Sequence, residues 1–254
     1  MNTRKDQLQA FERLLDIMDE LREKCPWDRK QTMETLRTLS IEEIYELSDA
    51  IIEKDLDEIK KELGDVFLHL VFYSKIASEQ NNFDVADVLN GICDKLIHRH
   101  PHIYGNVEAN TEEKVLQNWE QIKLKEGNKS VLSGVPTSLP AMVKAYRIQD
   151  KVKGVGFEFE NSDQVFDKII KEINEFKEEQ NPTDKEMEFG DILFSLINYG
   201  RFKGINSEDA LERSNKKFIT RFQKLEEIAK ENGQNIADLT ISELDKLWNL
   251  AKIR

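Results

Sequence analysis

Two acidic pairs, each with its members three residues apart, lie close together in the first half of this chain: Glu43 with Glu46, and Glu62 with Asp65. Two more, Glu172 with Glu175 and Glu188 with Asp191, lie in the second half. On a helix, positions three apart are neighbours on one face, so each pair can aim two carboxylates at a single point. If the helices carrying consecutive pairs pack antiparallel, four oxygen-bearing side chains converge. Such a set suits a hard cation: Mg²⁺ takes oxygen ligands in octahedral geometry, keeps some water and completes its shell with phosphates.

Spacing by itself says little, because 49 acidic residues in 254 give about nine such pairs by chance. Context adds weight. Asp65 precedes VFLHLVFY and Asp191 precedes ILFSLINY, runs that are apolar almost all the way round a helix. These runs read as buried helices, on which a carboxylate is costly unless it is paired or bound to metal. Gly64 and Gly190, just before the two aspartates, each cost about 1 kcal/mol in a helix interior relative to Ala, which suggests close helix approach. At this level two readings stay open: a metal site, or buried salt bridges and solvated acidic faces.

Cations and aromatics recur beside the acids. Lys217 and Arg221 share one helical face, and Lys95 and Arg99 repeat the pattern; Arg grips phosphate oxygens with a planar fork while Lys supplies a point charge. Such a pair alone is more often a solvated stripe. Trp119 and Trp248 could stack on a base or anchor a core. His98, His100 and His102 do not read as a zinc site, since Pro101 interrupts them and the second half lacks them. His69, inside an apolar run, reads as a hydrogen-bonded core residue. No Ser-His-Asp order, Walker loop or dinucleotide-binding glycine pattern is present.

The elements that must position these residues are helices. Apolar residues recur at intervals of three and four over roughly 4–22, 36–53, 56–80, 84–99 and 112–125, then over 138–151, 162–180, 184–203, 207–231 and 241–252. The segment GNKSVLSGVPTSLP, 127–140, interrupts the pattern. The expected organisation is a first unit over 1–126, a linker with a connecting helix over 127–160, and a second unit over 161–254. The halves are self-similar: ELGDVF from Glu62 matches EFGDIL from Glu188, DKLIHR matches KKFITR, and Trp119 follows Glu43 by the same separation as Trp248 follows Glu172. The chain reads as an old duplication of one all-α unit.

Composition narrows the function classes. A net charge of -12 repels phosphate backbones, so general nucleic-acid binding is not expected and a phosphate ligand needs metal. No apolar run approaches the ~20 residues that cross a bilayer, and the amphipathic start MNTRKDQLQAFERLL is unlike a signal peptide, so no membrane association and a cytoplasmic location are expected. Cys25 and Cys93 match no metal or redox spacing and read as reduced structural thiols. The apolar faces around Asp65 and Asp191 exceed what one thin unit can bury, which predicts a homodimer or a larger assembly.

Taken together, the acidic pairs, CPWDRKQT (Cys25 to Thr32), DKLIHRHPHIYG (Asp94 to Gly105) and GVPTSLPAMVKAYRIQDKVKGVGFEF (Gly134 to Phe159) resemble the MazG family over nearly the whole chain. The resemblance implies two tandem helical-bundle units of the all-α nucleoside triphosphate pyrophosphatase type. It also implies Mg²⁺-dependent hydrolysis of nucleoside triphosphates, ATP among them, between the α and β phosphates. Glu172, Glu175, Glu188 and Asp191 would hold the metal, and Lys168, Lys217, Arg221, Trp248 and Lys252 would contact the nucleotide. The first half offers a possible second site in Glu43, Glu46, Glu62, Asp65, Lys95, Arg99, Trp119 and Lys123. Family precedent favours the C-terminal set, but both tetrads are intact, so activity in both copies stays open. The alternatives are a narrower house-cleaning or phosphoribosyl-nucleotide pyrophosphohydrolase, and a non-catalytic helical interaction protein. A ferritin-like di-iron protein wants Glu-x-x-His, and no histidine here has Glu three residues before it.

Overall fold

The structure is a computed structural model that describes residues 1–111, 114, 115, 118, 119, 122 and 130–252. Among the described residues all regular structure is helical, and the chain divides into two compact units, Met1–Ala109 and Asn110–Arg254. The helices fall where the apolar periodicity places them. The helix expected over 112–125 lies largely outside the described residues.

In the first unit, α1 (Arg4–Lys24) starts at a capping box in which Thr3 Oγ1 accepts from Asp6 N and the Asp6 carboxylate accepts from Thr3 N. α2 (Met33–Glu53) starts at a second box, Thr32 with Thr35. It ends at Lys54, whose φ of 60° stops the helix, and Asp55 then caps α3 (Leu56–Glu79) by accepting from the amides of Asp57 and Glu58. A connection this short forces α2 and α3 into an antiparallel hairpin. Met18, Leu36, Val71, Phe72 and Ile76 form the core under α1, α2 and α3. Arg22 staples its edge: Nε and Nη2 donate to the two Glu79 carboxylate oxygens, Nη1 donates to the carbonyls of Asp28 and Gln31, and the guanidinium lies over Phe72. α4 (Val85–Arg99) and the single turn α5 (Pro101–Tyr104) complete the unit.

The second unit repeats the hairpin. α6 (Ala141–Lys153) precedes α7 (Ser162–Glu178) and α8 (Pro182–Phe202), and the latter two form the largest helix contact of the unit. Pro182 at the first turn and Asn181 as cap fix the start of α8. α6 packs on α8, with the buried Gln149 donating to the Phe194 carbonyl at 2.8 Å. α9 (Ser207–Glu231) and α10 (Ile241–Ala251) pair through Leu225, Ile228, Ala229, Leu247 and Ala251.

Two expectations about burial are revised. The runs after Asp65 and Asp191 bury only one side within the chain, leaving Phe67, Leu70, Leu193 and Leu196 exposed. Nor do Gly64 and Gly190 mark close helix approach among the described residues, because a Cβ built at either meets none of their atoms within 4 Å.

Candidate active site

The α2–α3 hairpin sets its two acidic pairs opposite each other, and one carboxylate oxygen from each of Glu43, Glu62 and Asp65 lies within 4.8 Å of the others. The α7–α8 hairpin does the same with Glu172, Glu188 and Asp191. The fourth member of each set stands outside the trio: Glu46 is exposed, and Glu175 is half-buried and ion-paired to Lys171 at 2.7 Å. The converging group is therefore three carboxylates per unit, with the fourth one helical turn away.

Burial falls on the glutamates and not on the aspartates that the apolar context singled out. Glu62 is 1% exposed and Glu172 2%, whereas Asp65 is half-buried and Asp191 exposed. The reason is rotational: the inward stripe of each hairpin passes through Glu62 and Glu172, and the aspartates sit at its margin. Each buried glutamate leans on a lysine. Lys61 Nζ reaches Glu62 Oε1 at 2.8 Å, and Lys168 pairs with Glu172 across one turn of α7.

The electrostatics of the first trio are those of an incompletely neutralised acid cluster. Burial, reinforced by repulsion from Asp65, Glu46 and Glu62, pushes the Glu43 carboxyl above the ordinary carboxylate range. Lys61 holds Glu62 below it, yet Glu62 Oε2 is buried without a hydrogen-bond partner among the described residues. Crowded oxygen donors with a lone pair still unmet fit a small divalent cation, which would relieve both effects. In the second unit, Lys171 pulls the Glu175 carboxyl below its ordinary value. His69 is buried one turn beyond Asp65, and burial lowers its pKa against the pull of Asp65. It is the core residue expected, and its Nδ1 has no hydrogen-bond partner among the described residues.

The predicted nucleotide contacts are placed unevenly. Lys168 joins the acid trio directly. Lys217 is exposed and Arg221 half-buried on α9, and among the described residues no ion pair links either to the acids. Trp248 packs at a tilt against Phe218, ring centroids 5.1 Å apart, and on the core that joins α9 to α10. Lys252 is exposed and donates to Asn249 Oδ1 at 3.1 Å. In the first unit's pattern, Lys95 is exposed and Arg99 half-buried in the last turn of α4; Trp119 is half-buried, and Lys123 lies outside the described residues. Lys171 and Lys61 are additions to the sequence reading. Lys171 was legible, standing four residues before Glu175 on a helix, whereas the Lys61 contact between sequence neighbours was not.

Comparison with known proteins agrees with this architecture. A family model described as the MazG nucleotide pyrophosphohydrolase domain matches residues 31–104, the stretch that carries the first acid trio. The chain is 42% identical to the nucleoside triphosphate pyrophosphohydrolase/pyrophosphatase MazG of Thermotoga maritima, covering 95% of each chain. It is 37% identical to the nucleoside triphosphate pyrophosphohydrolase of Escherichia coli, covering 96% of this chain and 98% of that one. The uncharacterized protein YabN of Bacillus subtilis is 43% identical over 95% of this chain, which spans 51% of YabN's length. With relatives matched end to end at this identity and the doubled acidic hairpin in place, the chain belongs to the MazG family.

Proposed function

We infer that this protein hydrolyses nucleoside triphosphates to the monophosphate and pyrophosphate, acting as a phosphorus-anhydride hydrolase. Family membership supports the reaction class, and the observation that carries it to this chain is the convergence of Glu172, Glu188 and Asp191 to within 4.8 Å on one hairpin. The three carboxylates would hold Mg²⁺, which when bound neutralises phosphate charge and lowers the pKa of bound water. Glu175, one turn from Glu172, is kept ionised by Lys171 and is the group best placed to orient a water molecule.

Lys168 and Lys171 distinguish the second hairpin. Both stand on α7 beside the acids, so one unit combines a cation-binding trio with two ammonium groups able to swing from carboxylate to phosphate. The first hairpin has neither lysine at the matching places; Leu39 and Glu42 occupy them. This asymmetry supports the C-terminal set as the principal active site, with Lys217, Arg221 and Lys252 reaching the nucleotide from α9 and beyond the end of α10. The N-terminal set then serves as a metal-binding and partly structural copy.

No described helix is long and apolar enough to cross a membrane. A cytoplasmic location and a homodimer complete the proposal, the latter supported by the exposed apolar stripe of Phe67 and Leu70 on α3 and of Phe189, Leu193 and Leu196 on α8. A panel of nucleoside triphosphates incubated with Mg²⁺ tests the activity: pyrophosphate release is expected, and orthophosphate release alone or no turnover would overturn it.

A further inference from the structure

Lys171 stands beside the acids of the second hairpin and engages the one carboxylate of the four that lies outside the converging trio. Its Nζ donates to Glu175 Oε1 at 2.7 Å, one turn along α7. That bond first, and then the field of Glu188 in the trio, raises the ammonium above its ordinary value. The contact has little structural use. Lys171 is 61% and Glu175 41% exposed in the pair, so the bridge adds little to stability. It runs lysine before glutamate, the order that supports a helix least. The matching place in the first hairpin holds Glu42, and that hairpin forms its own trio without the lysine.

What Lys171 does change is the electrostatics of cation binding. It occupies Glu175 and sets a positive charge beside the three carboxylates that would receive a divalent ion. Across a few ångströms of water, a unit charge repels a divalent ion by an amount worth about tenfold in affinity. A triphosphate reverses the balance. Its several charged oxygens attract an ammonium group more strongly than one exposed carboxylate does, so Lys171 turns to phosphate, its charge is neutralised, and Glu175 is freed to accept from water at the cation. We propose that Lys171 couples the two ligands, holding down the affinity of the second hairpin for a free divalent cation until a triphosphate draws the ammonium off Glu175. Lys171 is then a positioning residue, and cation and nucleotide enter the site together. The first hairpin, with Glu42 at this place, has no such coupling. The proposal rests on the pyrophosphohydrolase reading.

Binding measurements test the coupling apart from turnover. Mn²⁺ is the probe, followed in the full chain by the electron paramagnetic resonance signal of the free ion, with Asp65→Asn in every sample to weaken the first trio. Lys171→Ala is expected to tighten Mn²⁺ by about tenfold, the repulsion removed with one charge. Lys171→Arg keeps the charge and should bind Mn²⁺ as the parent does. Lys171 is largely exposed, so neither change disturbs the fold. A triphosphate bridged by methylene between the α and β phosphorus atoms is then titrated calorimetrically, with Mn²⁺ and without. The gain in its affinity that Mn²⁺ brings should be about tenfold smaller in Lys171→Ala than in the parent, because coupling between two ligands is reciprocal; the triphosphate's own affinity for Mn²⁺ cancels in the comparison. Mn²⁺ affinity unchanged or weakened in Lys171→Ala, or an equal gain in both proteins, would overturn the coupling. If both titrations come out as expected and the parent still releases no pyrophosphate from ordinary triphosphates, the hydrolase reading falls and the coupling stands.

Discussion

Glu62 and Glu172 are the buried carboxylates among the described residues, yet they are not equivalents in the repeat. Glu62 opens the second acidic pair of its unit, and Glu172 opens the first pair of its own. Their lysine partners differ too: the counterpart of Lys168 in the first half is Leu39, and that of Lys61 in the second is Met187. The duplicated hairpins thus keep their acids and have diverged in which acid is driven inside and which cation holds it.

This divergence predicts unequal roles. Glu172→Gln removes a trio oxygen charge and the Lys168 partner together, and should lower pyrophosphate release by about 100-fold or more, the scale of losing a charge that organises the reacting phosphates. Glu62→Gln should lower it by much less. Steady-state assays of both variants check the ranking, and equal losses would show two working sites.

Metal should stabilise the native chain, since a ligand specific to the folded state must do so. Adding Mg²⁺ with a non-hydrolysable triphosphate is expected to raise the melting temperature, and chelation to reverse the rise. In the Glu172→Gln variant the increment should shrink to what the Glu43, Glu62 and Asp65 trio supplies. Differential scanning fluorimetry with and without chelator reads this directly.

Acid stability should track the Arg22–Glu79 staple. The Arg22 hydrogen bonds hold the Glu79 carboxyl below its ordinary 4.5. Its contribution is therefore present above the ordinary carboxylate range and lost as pH falls through the lowered folded value. Glu79→Gln should cost about 1 kcal/mol at neutral pH, as expected for a partly exposed charge-assisted pair, and the deficit should close in acid. Glu43 carries the opposite sign: its raised carboxyl favours the fold below the ordinary value and loses that contribution as pH rises through the raised one. Urea midpoints of wild type and Glu79→Gln across pH 3.5 to 7 test the difference.

Trp248 should behave as a structural anchor. It is half-buried against Phe218 and the α9–α10 core, so Trp248→Ala should destabilise the second unit by about 2–3 kcal/mol, somewhat below the range for fully buried aromatics. Trp248→Phe should recover most of that loss. If Trp248→Ala instead left the urea midpoint unchanged and raised only KM, the residue would be a ligand contact and not a packing one.

The exposed stripe on α3 should lie in a subunit interface. Leu70, 57% exposed, is expected to be covered by a second copy. Light scattering should report a dimer at micromolar concentration, and Leu70→Glu should shift it to monomer. A monomeric wild type would remove the dimer from the proposal.

Much of this protein was legible in its sequence. Helix spans, the duplication and the hairpin placement of the acid pairs follow from local physics, because apolar period, caps and short connections are written in neighbouring residues: Thr32, Asp55 and Asn181 start helices where a capping side chain must. What only the tertiary structure decided is which side of each helix turns inward. That rotation buries Glu62 and Glu172 but not Asp65 and Asp191, leaves Gly64 and Gly190 without close neighbours among the described residues, and turns Trp248 onto Phe218. A helix that is apolar almost all round has no unique inward face in its own sequence, so packing against its neighbours makes the choice.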